Sequence, residues 1–122
     1  MYDQAKKCSG AARLLLITLL GISMPASAEE FEVELDPGRF FEPCMEMTVG
    51  QALHYKFKSN DNLRFNIHYH VGDDVEYPIK ANADRGSGEY MPVIDQNYCL
   101  MWKNMTSAPV SLNGDYVVVD NE

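Results

Sequence analysis

From residue 29 onward the chain reads as a succession of strands. Phe31, Val33 and Leu35 alternate with Glu32 and Glu34, the two-residue period of a strand with one buried face. Asp36-Pro37-Gly38 ends that run. A short strand is expected over residues 44–49, before Gly50. Leu53, Tyr55 and Phe57 then alternate with His54, Lys56 and Lys58, and Ser59-Asn60-Asp61-Asn62 has the composition of a turn. In the longest alternation, Leu63, Phe65, Ile67, Tyr69 and Val71 form one row, and Arg64, Asn66, His68 and His70 form the other. Gly72-Asp73-Asp74 closes it. Val75, Tyr77 and Ile79 alternate again, with Pro78 pointing to an edge position. Residues 81–88 read as a polar, glycine-containing loop, and residues 90–94 and 98–102 as two further strands. Residues 110–112 and 116–118 flank Asn113-Gly114, a favoured two-residue hairpin turn. No segment carries an amphipathic helical period. The pattern predicts an all-β fold, an antiparallel β-sandwich of about seven to eight short strands.

The first 28 residues break this pattern. Lys6, Lys7 and Arg13 precede an apolar run from Leu14 to Ile22, and Ala26-Ser27-Ala28 follows with small side chains. These are the three parts of an export signal, so Glu29 is the expected mature N-terminus. The apolar run is shorter than the roughly 20 residues of a membrane span, which disfavours the alternative of an uncleaved anchor. The expected organisation is a signal peptide over residues 1–28 and one domain over residues 29–122, periplasmic or secreted, with no membrane segment in the mature form.

Export changes the reading of charge and cysteine. The first 28 residues hold three of the ten Lys and Arg and one of the eighteen Asp and Glu, so the remainder carries −10. Such a surface repels nucleic acid and attracts cations and basic partners. Cys8 leaves with the signal, and Cys44 and Cys99 remain. An even pair in an oxidising compartment points to a disulfide, with a cysteine-ligated metal as the alternative.

Cys44, then Gly50-x-x-Leu53-x-Tyr55-x-Phe57, then Tyr98-Cys99-Leu100-x-Trp102-x-Asn104 and Tyr116 come in an order that resembles the GOLD (Golgi-dynamics) domain. The resemblance covers roughly residues 42–118. It implies a compact sandwich with a disulfide between its two cysteines, and a role in protein or lipid recognition without catalytic residues. The coiled coil and anchor of Golgi cargo receptors are absent from this sequence, so it implies a stand-alone exported domain.

Three histidines carry the candidate chemistry: His54, His68 and His70. His68 and His70 are two apart, so they share one strand face, opposite the apolar row. His54 lies on the polar face of the preceding strand. If residues 59–62 are a turn, the two strands pair as a hairpin. A register summing to 122 then sets His54 opposite His68, and one summing to 124 sets it opposite His70. Opposed Cβ atoms lie about 4.5–5.5 Å apart. Three neighbouring imidazoles suit Cu(II) or Zn(II), with copper binding more tightly. Asp73, Asp74 and Glu76 are nearby acceptors. The alternative is an ordinary polar strand face. Met45, Met47, Met91, Met101 and Met105 offer thioethers for Cu(I), though methionine is also a common core filler. Asn104-Met105-Thr106 matches an N-glycosylation acceptor. No catalytic constellation stands out. The expectation is a small exported metal-binding protein, for copper or alternatively zinc, using His54, His68 and His70. The alternative function is a GOLD-like module with a protein or other ligand as partner.

Overall fold

A computed structural model describes residues 27–120. The expected signal over residues 1–28 therefore lies outside the described residues, save for its last two. Seven strands make up the described chain: β1 (Glu29–Leu35), β2 (Phe40–Phe41), β3 (Cys44–Met47), β4 (Gln51–Val71), β5 (Asp74–Tyr90), β6 (Gln96–Lys103) and β7 (Val110–Asp120). All pairings are antiparallel. The order is β1-β7-β4-β6-β2, with β3 beside β6 and β5 beside β4. The all-β, antiparallel expectation and the Cys44–Cys99 disulfide are both present.

The strands are not all short, and three expected breaks fall inside them. The first is residues 59–62, which continue β4 instead of turning a hairpin. Along one edge β4 pairs with β5 over nearly its whole length, with register shifts between Lys58 and Leu63 and between Ile67 and Tyr69. Along the other edge it pairs with β7 over Gln51–Ser59 and with β6 over Arg64–His68. The Tyr55 and Phe65 ring centroids are nonetheless only 5.2 Å apart, and those of Phe57 and Phe65 only 5.0 Å. Ten residues of straight strand would span about 33 Å. The irregularity at 58–63 thus bends the β4–β5 ribbon over a shared core, so that β4 passes from one leaf of a sandwich into the other.

The other two breaks were read from glycines. Residues 81–88 lie in β5, and Asn113-Gly114 lies in β7. A Cβ on Gly86 would meet the Phe57 ring at 2.8 Å, and one on Gly114 would meet the Phe31 ring at 2.8 Å as well as the Lys56 carbonyl. These glycines admit rings and backbone at close range, a use of glycine that composition does not distinguish from a turn. Conversely, the strand expected over 90–94 ends at Tyr90, and residues 91–95 form a loop.

The core follows the predicted rows. Leu53, Phe57, Leu63, Phe65 and Ile67 of β4 are buried against Tyr98, Leu100 and Trp102 of β6 and Val110 and Leu112 of β7. Trp102 is fully buried among Phe31, Phe41, Phe57 and Phe65, with centroids 5.0–6.0 Å away. Its Nε1 has no hydrogen-bond partner, and aromatic faces offer an indole N–H only weak acceptors. Met47 is core, whereas Met91 and Met105 are exposed. Closing a loop of 55 residues, the disulfide adds about 4 kcal/mol in the chain-entropy account.

Asn104 is fully buried and donates from Nδ2 to the carbonyls of Leu35 and Ala108, both at 2.8 Å. Its Oδ1 accepts from the Thr106 amide at 2.8 Å and the Thr106 hydroxyl at 2.7 Å. The amide nitrogen of the Asn-Met-Thr triplet is thus spent on the fold and faces no solvent from which a glycan could be attached.

Candidate functional site

The bend in β4 decides where the histidines go. His54 and His68 lie on one continuous strand, not across a hairpin, and none of the registers expected for a hairpin occurs. His54 sits on the half paired with β7, opposite Val117 and Glu89, and its Nε2 lies 3.3 Å from a Glu89 oxygen in an exposed pair. His68 sits on the half paired with β6, opposite Cys99. Since the two halves face each other across the core, their polar faces point outward on different leaves. His68 and His70 are brought together, their rings 5.5 Å apart, with the Tyr77 ring 5.7 Å from His68.

His68 is buried, at 4% exposure, although it stands on the face away from the core. A strap formed by β2, β3 and the two residues between them pairs along the other side of β6 and brings Glu42 to His68. Glu42 in that strap places Oε2 2.9 Å from His68 Nε2, and Asn66 Oδ1 lies 2.7 Å from Nδ1. Both ring nitrogens thus have oxygen partners. Glu42, His68 and Cys99 bring a carboxylate oxygen, a ring nitrogen and a sulfur within 4.8 Å of one another. In the oxidised protein that sulfur belongs to the disulfide and offers no thiolate. A broad open groove of about 960 Å³ lies elsewhere, over Phe31, Lys56, Lys58 and Arg85, with no histidine in its lining.

Glu42 and Asn66 escaped the sequence reading. Asn66 was visible in the His68 row. Glu42 becomes a neighbour only when two pairings combine: Cys44 opposite Cys99, and Cys99 opposite His68.

A second surface lies at one end of the sandwich. The β5–β6 loop exposes Val93 (78%), Met91 (52%) and Ile94 (42%), beside Val49 (59%) in the β3–β4 turn. This apolar tip is held firmly. Tyr98, fully buried, donates its hydroxyl to the Ile94 carbonyl at 2.8 Å. The Val49 amide donates to Asp95 Oδ1 at 2.8 Å, tying the two loops together. Pro92 is buried beneath them. Tyr69 and Tyr90 pack edge-on against Tyr98, centroids 5.1 and 5.4 Å away. These apolar residues fall in the strand expected over 90–94, which the structure replaces with a loop.

No protein-family model matches the chain, and no curated protein matches it in sequence. Among solved structures it is similar to the Aeromonas hydrophila protein PliG, described as a periplasmic lysozyme inhibitor of g-type lysozyme. The TM-score is 0.63 at 13% identity, covering 82% of this chain and 93% of that one. It is also similar to a de novo designed double-stranded β-helix, with a TM-score of 0.44 at 15% identity over 72% of this chain and 97% of that one. At such identity, what the chain shares with PliG is the fold.

Proposed function

We propose that the protein is an exported binding module whose partner is a basic protein of the extracytoplasmic space, lysozymes being the class to test first. The observation that carries this reading is the anchored apolar tip. A Val exposed to 78% on a loop held by the exposed Asp95 and by the buried Tyr98 is hydrophobic surface kept in one shape. Such preorganised apolar surface marks protein contacts and lowers the ordering cost of binding. The charge of −10 expected for the mature chain complements a basic partner and steers its approach. PliG, of the same fold, is described as an inhibitor of g-type lysozyme, and the GOLD resemblance likewise implies recognition without catalysis. The test is binding to purified g-type and other lysozymes by interferometry, with lytic activity as a second readout. Submicromolar binding, weakened tenfold or more by Val93→Asp, is expected. Tip variants that bind as the wild type does would rule the tip out.

A second reading keeps metal binding at His68. The 2.9 Å between His68 Nε2 and Glu42 Oε2 matches two adjacent positions around a tetragonal Cu(II), which are about 2.9 Å apart for bonds near 2.0 Å. His70 is the neighbouring imidazole. Copper titration of the oxidised protein against His68→Ala and His70→Ala tests this, and equal weak binding by all three would end it.

A further inference from the structure

The patch around His68 holds more chemistry than the oxidised protein can use. Cys99 is buried and directly opposite His68, and its sulfur lies within 4.8 Å of the His68 nitrogen and the Glu42 oxygen. The edge of a zinc tetrahedron with mixed N, O and S ligands measures about 3.3–3.6 Å, so shifts of about 1 Å would close these atoms around an ion. What prevents this is the bond from Cys99 to Cys44.

We propose that opening the Cys44–Cys99 disulfide converts this patch into a zinc site. Cys99 Sγ, His68 Nε2 and a Glu42 carboxylate oxygen are three ligands, and Cys44 Sγ is the fourth. With the bond open, the strap is still hydrogen-bonded to β6 on both sides of it. Phe40 and Phe41 pair with Lys103 and Trp102, and Met45 to Met47 pair with Tyr98 to Gln96. The Leu100 amide donates to the Pro43 carbonyl at 2.9 Å, between Glu42 and Cys44. Glu42 therefore stays over His68. The mixed set of thiolate, imidazole and carboxylate suits Zn(II).

The chemistry balances with a dithiol reductant. One of its thiolates attacks Cys44 Sγ, the sulfur of the exposed cysteine, and Cys99 leaves as a thiolate. The reductant's second thiol then attacks the mixed disulfide, releasing Cys44 and closing the reductant's own disulfide. Two electrons pass to the protein. Zinc binding holds both cysteines as thiolates and releases their protons to solvent.

This inference rests on neither function reading above, since the oxidised protein is not required to bind any ion. The test uses the full chain with Cys8→Ser, so that no other thiol competes, and adds Cys44→Ser to leave Cys99 as a thiol without reductant. Co(II) should bind this variant one to one with a thiolate-to-metal charge-transfer band, and Zn(II) should displace it. Zinc affinity should exceed that of the oxidised Cys8→Ser protein by tenfold or more, and fall by tenfold or more on adding His68→Ala. The reduced Cys8→Ser protein, with both ligand cysteines, should bind more tightly still. Should Cys44→Ser unfold without metal, zinc should restore the native circular dichroism spectrum. Absence of the charge-transfer band, zinc affinity indifferent to His68, or a reduced fold indifferent to zinc would each overturn the proposal.

Discussion

Asn104 shows how much can depend on one side chain. It satisfies the buried Leu35 carbonyl, the Ala108 carbonyl and two groups of Thr106 while joining the end of β1 to the β6–β7 connection. Asn104→Ala removes the side-chain donor to the buried Leu35 carbonyl and the acceptor of the Thr106 amide, while the Thr106 hydroxyl and the Ala108 carbonyl keep each other, and a buried polar group left unpaired costs about 1–3 kcal/mol. The expected loss is about 2–4 kcal/mol, read by urea denaturation with unchanged m-value. In sequence the residue appeared as a glycan acceptor, because a three-residue motif carries no information on whether its amide is exposed. Tyr98 is similar in kind: its place in an apolar row was legible, but not that its hydroxyl holds the Ile94 carbonyl.

At the scale of elements, the rows were legible and the ends of the rows were not. Odd-numbered residues of β4 face the core on both sides of residues 59–62, as the alternation predicted. The alternation could not distinguish a turn within one sheet from a bend between two leaves, since both preserve parity. That ambiguity placed His54 beside His68, although the shared face of His68 and His70 was read correctly. Gly114 makes the same point for β7. Its missing Cβ leaves room for the Phe31 ring and the Lys56 carbonyl, and backbone cannot give way as a flexible side chain can. Gly114→Ala is expected to cost about 2–3 kcal/mol, at the upper end of overpacking penalties, measurable as a lower melting temperature. Gly38→Ala offers a contrast, because nothing lies within 4 Å there and the cost comes only from its positive φ of 81°.

The whole molecule has a pH limit on the alkaline side. Burial pushes the phenols of Tyr90, Tyr55 and Tyr116 above the ordinary value of 10.0, and the neighbouring Tyr98 hydroxyl adds to the effect on Tyr90. A phenol harder to ionise in the folded state favours unfolding once the unfolded chain can ionise it. The stability involved is fully present below pH 10 and declines as pH rises above it. Denaturation midpoints should therefore hold between pH 7 and 9 and fall by pH 11, with Tyr90→Phe flattening the fall. A midpoint unchanged at pH 11 would contradict this. The bent β4–β5 ribbon has a further consequence, for how the protein comes apart. Both leaves are built on the same two strands, so neither can open while the other persists, as the covers of a book cannot separate from a shared spine. Amide hydrogens of Leu53 and Ile67, on opposite leaves, should therefore exchange with one common opening free energy under native conditions, equal to that of global unfolding. Two distinct values would mean the leaves open independently.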